Sequence, residues 1–498
     1  MLRRDFLTAA GLSAVAASTA GAYESGTAPA DLVTPPILKS FTTEDHRRRL
    51  QNIALCEKGI RDCLRKHLIL DYIPGQVSYN LGEYPSRKPY NPDEYDEQEL
   101  DRLRDGGIRL IQVMEDWNDL LRLFGGNKFT AVNPAGLRRF IDMVHKRGMK
   151  ILLYASTGYM QQGDPDLKDE WIRHQPKPLE QAAHWRLLRC SPASPGWRAY
   201  LLPRTTRILD DYGADGLFND WGYKPLYKDP DPPTKEEVLA WTESAEHDAA
   251  EEDLVGLIYG EVKRRGGIYK MHADNNNQPK FSKQYWDYLW VGEGVWNIDK
   301  VREETKNHLP YVVPCFDFRH AGEKPKNKDE IYLHTLPYMQ FPLLLAGRPF
   351  TGERATIPGV KYLPEEKDSL LREWRAMWKY CQEHPEGPFV YGPWDSFPIW
   401  PDVKERHARW LKQYLPLVED GTWAYLDVRS SSLFANPLPA NVVASVFASR
   451  ELHLMLANYN TTDVAVRTAE PYVLASEGGP GISEWTIPAR SIRILRKA

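Results

Sequence analysis

Eight short apolar runs, most of them separated by helical stretches, constrain the fold of this chain more than any other feature. They are Leu68–Tyr79, Ile108–Met114, Met149–Tyr154, Asp215–Asp220, Gly267–Met271, Tyr288–Val291, Tyr311–Phe316 and Phe341–Ala346. Runs this short, with little polar alternation, suit strands covered on both faces, as in a parallel sheet flanked by helices. The helices between them carry their own punctuation. In Pro134–Arg147, Leu137, Phe140, Ile141 and Val144 fall at helical spacing, Pro134 sits near the start and Gly148 at the stop. Glu97–Asp105 ends at Gly106-Gly107, Trp197–Asp211 contains Pro203, and Thr234 with Glu237 has capping-box spacing before a helical region reaching Arg265. A further helix at about 327–338 leads into the eighth run. The alternation predicts an α/β chain folded as a (β/α)8 TIM barrel. An open doubly wound sheet would usually show a Gly-rich phosphate loop after its first strand, and none is visible.

The rest of the 498 residues divides around that barrel. Arg3-Arg4-Asp5-Phe6-Leu7, the weakly apolar Ala9–Ala17 and the small residues Ala20-Gly21-Ala22 predict a twin-arginine-type signal peptide over 1–22. A periplasmic or secreted protein follows from that signal. Residues 23–66 read as a Pro-, Thr- and Ala-rich linker and then a helix from Thr43 to about Arg65. The barrel takes 67–390, including a helical stretch after Pro364 that carries Trp374 and Trp378. From Trp423 the texture changes to short alternating runs: Val442–Ala448, Leu452–Asn458, Val464–Thr468, Ser483–Ile487 and Ser491–Leu495. They predict a small antiparallel β-sandwich domain within 391–498.

Composition narrows the partners. A net charge of -4, with no long block of one sign, gives no footing for nucleic acid. The Ala-rich head is too short for a normal membrane span and no later run qualifies, so no membrane anchor is expected. Five cysteines cannot all pair. Cys56 and Cys63 lie on one predicted helix, about 10 Å apart along its axis, too far for a bridge. Cys190, Cys315 and Cys381 read as isolated core residues. No metal-ligand spacing appears, and no metal or cofactor is expected. The 16 Trp and 26 Tyr include rings suited to stacking on sugar faces. Oligomeric state is left open.

Most of the eight runs close on polar or aromatic side chains. In a barrel the C-terminal ends of the strands face the active site, so these closing residues are candidates for chemistry. The fourth run ends in Asn219, Asp220 and Trp221. The fifth ends in His272, Asp274 and Asn275, and the sixth reaches Glu293 and Trp296. The second ends in Asp116 and Trp117, the third in Tyr154, and the seventh in Asp317, Arg319 and His320. Two carboxylates across one bond are what glycoside hydrolysis needs: one protonates the leaving oxygen, and the other attacks carbon or activates water. Asp220 is assigned as nucleophile and Glu293 as general acid/base, with Asp274 as the runner-up acid. The apolar and glycine neighbours of Glu293 would keep its proton near neutral pH. Asp116, Trp117, Tyr154, Asn219, Trp221, His272, Asn275, Trp296, Asp317, Arg319 and His320 are the substrate-binding candidates. The long loop 158–190, with Trp171, His174 and Trp185, is expected to be functional. Asp215 starts its strand and is read as a backbone-bonding residue.

The run from Cys190-Ser-Pro through Trp197-Arg-Ala-Tyr to Tyr212-Gly-Ala-Asp-Gly-Leu-Phe-Asn-Asp220 resembles the helix-to-fourth-strand region of the α-galactosidase and α-glucosidase clan and of α-L-fucosidases. The resemblance implies an Asp nucleophile at Asp220 and, in the clan, an acid/base after the sixth strand, which falls near Glu293. That acid is usually Asp in the clan, so Glu is a departure. A C-terminal β domain is shared as well. A plan with an Asn-Glu pair after strand four fits Asn219-Asp220 poorly, and an amidohydrolase would want an HxH pair that Leu68–Tyr79 lacks. The expectation is an exported, retaining glycoside hydrolase acting on an α-linked oligosaccharide or polysaccharide. The alternatives are a non-catalytic carbohydrate-binding protein on the same barrel, and a polysaccharide lyase or epimerase with a Tyr or His base.

Overall fold

The structure, a computed structural model, describes residues 40–82, 89–172, 179–182, 185–220, 245–273, 279–291, 298–315, 329–348 and 402–498. The chain divides at Arg47 into two units, and the described sheets all lie in the second, residues 48–498. The signal peptide, most of the linker, Thr234–Glu237 and the stretch with Trp374 and Trp378 lie outside the described residues.

All eight expected strands form. They are Gln76–Asn80, Leu110–Val113, Lys150–Ala155, Gly216–Asn219, Ile268–His272, Tyr288–Val291, Val312–Pro314 and Leu344–Gly347. From the first to the seventh each pairs in parallel with the next along the chain, and the eighth pairs with the first. That is the strand order of a (β/α)8 barrel. The ladder is open between the seventh and eighth strands, where one backbone bond, Leu343 N–H to Pro314 O at 2.8 Å, bridges the gap. A side-chain bond shows how far the sheet curls. Lys270 on the fifth strand donates to Gln76 Oε1 on the first at 3.1 Å. In a flat sheet four strand spacings would separate these strands by roughly 19 Å. One lysine cannot span that, so the sheet wraps around a shared interior.

Local chemistry fixes the helices on the outside. Asn133 caps Pro134–His145 by accepting from Gly136 N–H at 3.1 Å, and Leu137, Phe140, Ile141 and Val144 point into the core. Asp93 and Asp96 form a reciprocal capping box on Glu94–Asp105. Pro195–Tyr212 is capped by Ser194 and stops at Gly213, whose φ of 75° favours a residue without Cβ. Gly216, in the fourth strand, has a different reason to be glycine. A Cβ there would lie 1.8 Å from Ile268 O of the neighbouring strand.

The C-terminal strands also form, but as one continuous seven-stranded antiparallel sheet. Its members are Ile60–Leu68, Trp423–Ser431, Val442–Ala448, Leu452–Asn458, Val464–Leu474, Gly478–Ile487 and Ser491–Lys497. The first of these corrects the expectation of a helix to Arg65. The helix ends at Gly59, and Ile60–Leu68 pairs antiparallel with Trp423–Ser431. The sheet is tied to the parallel sheet's helices by Ser445 Oγ–H to Pro337 O at 2.7 Å and Tyr459 O–H to Leu333 O at 2.9 Å. Within loop 158–190 three short strands pair as a small antiparallel sheet, so this stretch is less irregular than its composition implies. No disulfide forms among the described cysteines. Among the described residues no helix is long and apolar enough to cross a membrane.

Candidate active site

Asp220 follows the last residue of the fourth strand, and the strands on either side each send it one side chain. From the third strand, Tyr154 O–H donates to Asp220 Oδ2 at 2.5 Å. From the fifth, His272 Nδ1 meets Asp220 Oδ1 at 2.8 Å. Because strand side chains alternate, Tyr154, Phe218, Asp220, Lys270 and His272 fall on the interior face while Leu217 and Tyr269 point away from it. Phe218 and Trp290 wall the cluster. Trp290 meets the His272 ring edge-on, with centroids 4.1 Å apart. The Asp220 side chain keeps 19% of its surface exposed, against 4% for His272. The carboxylate is therefore held from both neighbouring strands and keeps part of its surface exposed. Removing the tyrosine hydroxyl deletes one bond to a charged acceptor. Tyr154→Phe is expected to cut kcat about 10- to 100-fold with the fold intact, checked by steady-state kinetics beside a thermal melt.

Three further candidates are committed to contacts within the protein. Asn219 is fully buried and its amide is committed at both ends. Oδ1 accepts from Thr157 Oγ at 2.6 Å, and Nδ2 donates to Tyr269 O–H at 2.5 Å. Strand alternation explains this, because the neighbour of an inward Asp220 must point outward. Trp117 is also buried; its Nε1–H donates to Tyr154 O at 3.0 Å and its ring packs edge-on against Tyr212. It braces the strand that carries Tyr154 and offers no face for a sugar. Asp116 is buried and accepts from Leu81 N–H at 2.5 Å, tying the end of the second strand to that of the first. Asp215 binds backbone, as expected, accepting from Ile151 N–H at 2.8 Å. Asp274, Asn275, Glu293, Trp296, Trp221, Asp317, Arg319, His320 and His174 lie outside the described residues.

One nearby cation has no counterpart among the sequence candidates. Lys128 is 97% withdrawn from solvent, at 3% exposure. Its Nζ donates to Tyr159 O, and it sits over the Phe129 and Trp197 rings, with centroids 5.2 and 5.9 Å away. Burial lowers its ammonium to about 8, and Cys190, Glu115, Asp164 and Asp220, in descending order, oppose that fall. The available signal was the density of turn-forming Asn, Asp and Gly over 118–127, which marks a built loop. Among the described residues, one His/Asp/Glu group has metal-compatible spacing: His247, Asp248 and Glu251, whose ligand atoms lie within 4.8 Å of one another on the Ala245–Arg264 helix.

No family model matches the chain, and no curated protein matches it. Solved structures do. A maltogenic α-amylase from Thermotoga neapolitana aligns at 10% identity and TM-score 0.47, over 86% of this chain and 99% of its own. A variant of an α-galactosidase from Geobacillus stearothermophilus aligns at 10% identity and TM-score 0.48, over 91% of this chain; the present chain spans 59% of that protein. An inactive double mutant of MutB, the trehalulose synthase of Pseudomonas mesoacidophila, in complex with isomaltulose, aligns at 10% identity and TM-score 0.51, over 86% and 99% of the two chains. At these identities the likeness is one of fold. That likeness is carried by the MutB double mutants, which align at TM-score 0.51.

Proposed function

We propose that this protein is an exported glycoside hydrolase that cleaves an α-linked bond of an oligosaccharide or polysaccharide with net retention. Asp220 is the nucleophile and Glu293 the general acid/base, with Asp274 as the alternative acid. The observation that carries the proposal is the setting of Asp220. It closes the fourth parallel strand, Tyr154 and His272 hold one oxygen each, and it is still partly open to solvent. A nucleophilic carboxylate needs this combination, since it must be oriented before attack and reachable by the anomeric carbon. In the reaction an Asp220 oxygen bonds to that carbon as the glycosidic C–O bond breaks, and the departing oxygen takes the acid's proton. The same acid, now a base, then draws a proton from water, which displaces Asp220 and frees the sugar. The C-terminal β-sandwich and a closed barrel belong to this reading, as does export to the periplasm or medium through Arg3-Arg4.

A panel of α- and β-linked glycosides, followed by NMR of the newly released sugar, tests it. Release of the α anomer first from an α-linked substrate is the expected result, and β first would mean inversion. Absence of turnover across the panel would count against hydrolysis and for a carbohydrate-binding protein. The Tyr154–Asp220–His272 cluster specifically favours a lyase or epimerase as the second reading, because Tyr and His are bases suited to removing a proton beside a carboxyl group. An unsaturated or epimerised product would identify that chemistry.

A further inference from the structure

The last strand, Ser491–Lys497, is fully paired on one side only. Leu452–Asn458 runs beside it from Ser491 to Arg496. On the other side Val464–Leu474 reaches only Leu495–Lys497, and Ala475 N–H adds one bond to Ile494 O at 3.0 Å. The chain then turns away through Ser476 and Glu477. Successive residues of a strand send their backbone groups to opposite sides, so Ile492 aims its N–H and C=O the same way as Ile494. They enter the notch where the second partner has ended, and no described residue bonds them there. A cavity of about 490 Å³ occupies this notch. Its other wall is the Val403–Tyr414 helix, which presents Arg409, Trp410 and Gln413, with Asp329 beside them. Trp410, Ile492 and Ile494 are buried and make an apolar floor, while Arg409, Ser476 and Glu477 are exposed at the rim.

The charges lining the cavity are mostly matched within the protein. Asp329 accepts from Trp410 Nε1–H at 2.8 Å and from Arg409 at 3.2 Å. Arg490 is held by Asp299 at 3.1 and 3.3 Å and by Glu330 at 2.8 Å. Arg493 and Glu477 remain, one of each sign, and among the described residues neither side chain has a hydrogen bond or ion pair. Such a lining has no net charge with which to select an anion or a cation. It offers a mixed set of donors and acceptors, from Gln413, Ser476, Glu477 and the Ile492 backbone, over an apolar base. That combination matches a neutral ligand rich in hydroxyls, whose C–H faces can rest on the floor. The open edge is one residue long, too short to seat an added peptide strand.

We propose that this cavity is a second, non-catalytic site that binds a neutral oligosaccharide, a stretch of the same polymer that is cut at Asp220. The choice of polymer rests on the hydrolase reading; the preference of the cavity for a neutral polyol does not. The full-length chain, labelled with carbon-13 at isoleucine Cδ1, reports on the floor. The Ile492 and Ile494 signals are identified by their loss in Ile492→Val and Ile494→Val. Titration with maltotriose, raffinose and cellotriose at millimolar concentration should move both signals saturably with at least one sugar, and inorganic phosphate should leave them in place. In a Gln413→Ala, Glu477→Ala double variant the affinity should fall about tenfold or more. Signals that no sugar moves, that phosphate moves in their stead, or a double variant that binds as tightly as the parent overturn the proposal.

The kinetic arm uses a polysaccharide that the parent cleaves. The double variant should raise KM for the polymer several-fold relative to KM for a small aryl glycoside, because the polymer alone is long enough to engage both sites. An unchanged ratio overturns the proposal and leaves the hydrolase reading standing. Parent-like turnover in Asp220→Ala sinks the hydrolase reading instead, and the titration still decides whether the cavity takes a sugar.

Discussion

Asp220→Ala is expected to lower kcat/KM by about 10⁴-fold or more on any glycoside the parent cleaves, with substrate binding largely retained. A covalent intermediate splits one difficult displacement into two easier ones, and deleting the attacking oxygen removes both. Folding should survive. The side chain is 19% exposed, so water can replace it as acceptor for Tyr154 and His272. The void left beside the anomeric carbon distinguishes a nucleophile from a residue that merely orients substrate. A small anion such as azide can enter, attack the carbon from the vacated side, and leave as a glycosyl azide of inverted configuration while the leaving oxygen takes its proton from the acid. Partial rescue by azide with that product is the expected result. A binding-only role for Asp220 predicts weaker binding, a near-normal kcat and no azide product, and circular dichroism excludes misfolding as the cause of lost rate.

Fold and site were legible in the sequence to different depths. The eight strands could be placed because buried parallel strands leave short apolar runs, and such runs need no knowledge of their partners. Tyr288–Val291 matches to the residue, while the first strand, expected over Leu68–Tyr79, begins only at Gln76 and runs to Asn80. Residues 60–65 read as helix because their strand character depends on a partner near residue 427, far along the chain. Local pattern cannot report such pairing. At the site, strand ends pointed to Asp220, Tyr154 and His272, which do meet. Alternation could have removed Asn219, since the neighbour of an inward residue faces outward. Trp117 misled for another reason. An indole serves a core bond to Tyr154 O as readily as it serves a sugar. Lys128 left little trace because a loop, not a strand, carries it into the core.

Lys270→Met is expected to stabilise the fold near neutral pH and destabilise it in base. Lys270 is fully buried inside the curled sheet, with Gln76 Oε1 as its acceptor at 3.1 Å and the Phe218 ring 5.9 Å away. Burial lowers its ammonium from 10.5 to about 7. The sign follows from proton counting. Between the folded value near 7 and the unfolded value near 10.5 the unfolded chain holds the extra proton, so stability rises with pH across that window. Below about 7 the folded protein carries the whole burden of the buried charge, on the order of 5 kcal/mol. Methionine fills similar volume without a charge and removes that burden, but it orphans Gln76 Oε1 at a cost of about 1–3 kcal/mol. The variant should therefore gain roughly 2–4 kcal/mol at pH 6. By pH 10 the parent's amine is neutral and hydrogen-bonded, only the orphaned amide remains, and the variant should be the less stable of the two. Urea melts of parent and variant from pH 6 to pH 10 should cross inside the window. A difference that stays constant with pH would mean that Lys270 holds its proton equally in the folded and unfolded chain, so that burial does not shift it, and a loss at pH 6 would mean that the buried charge has a counter-ion not found among the described residues.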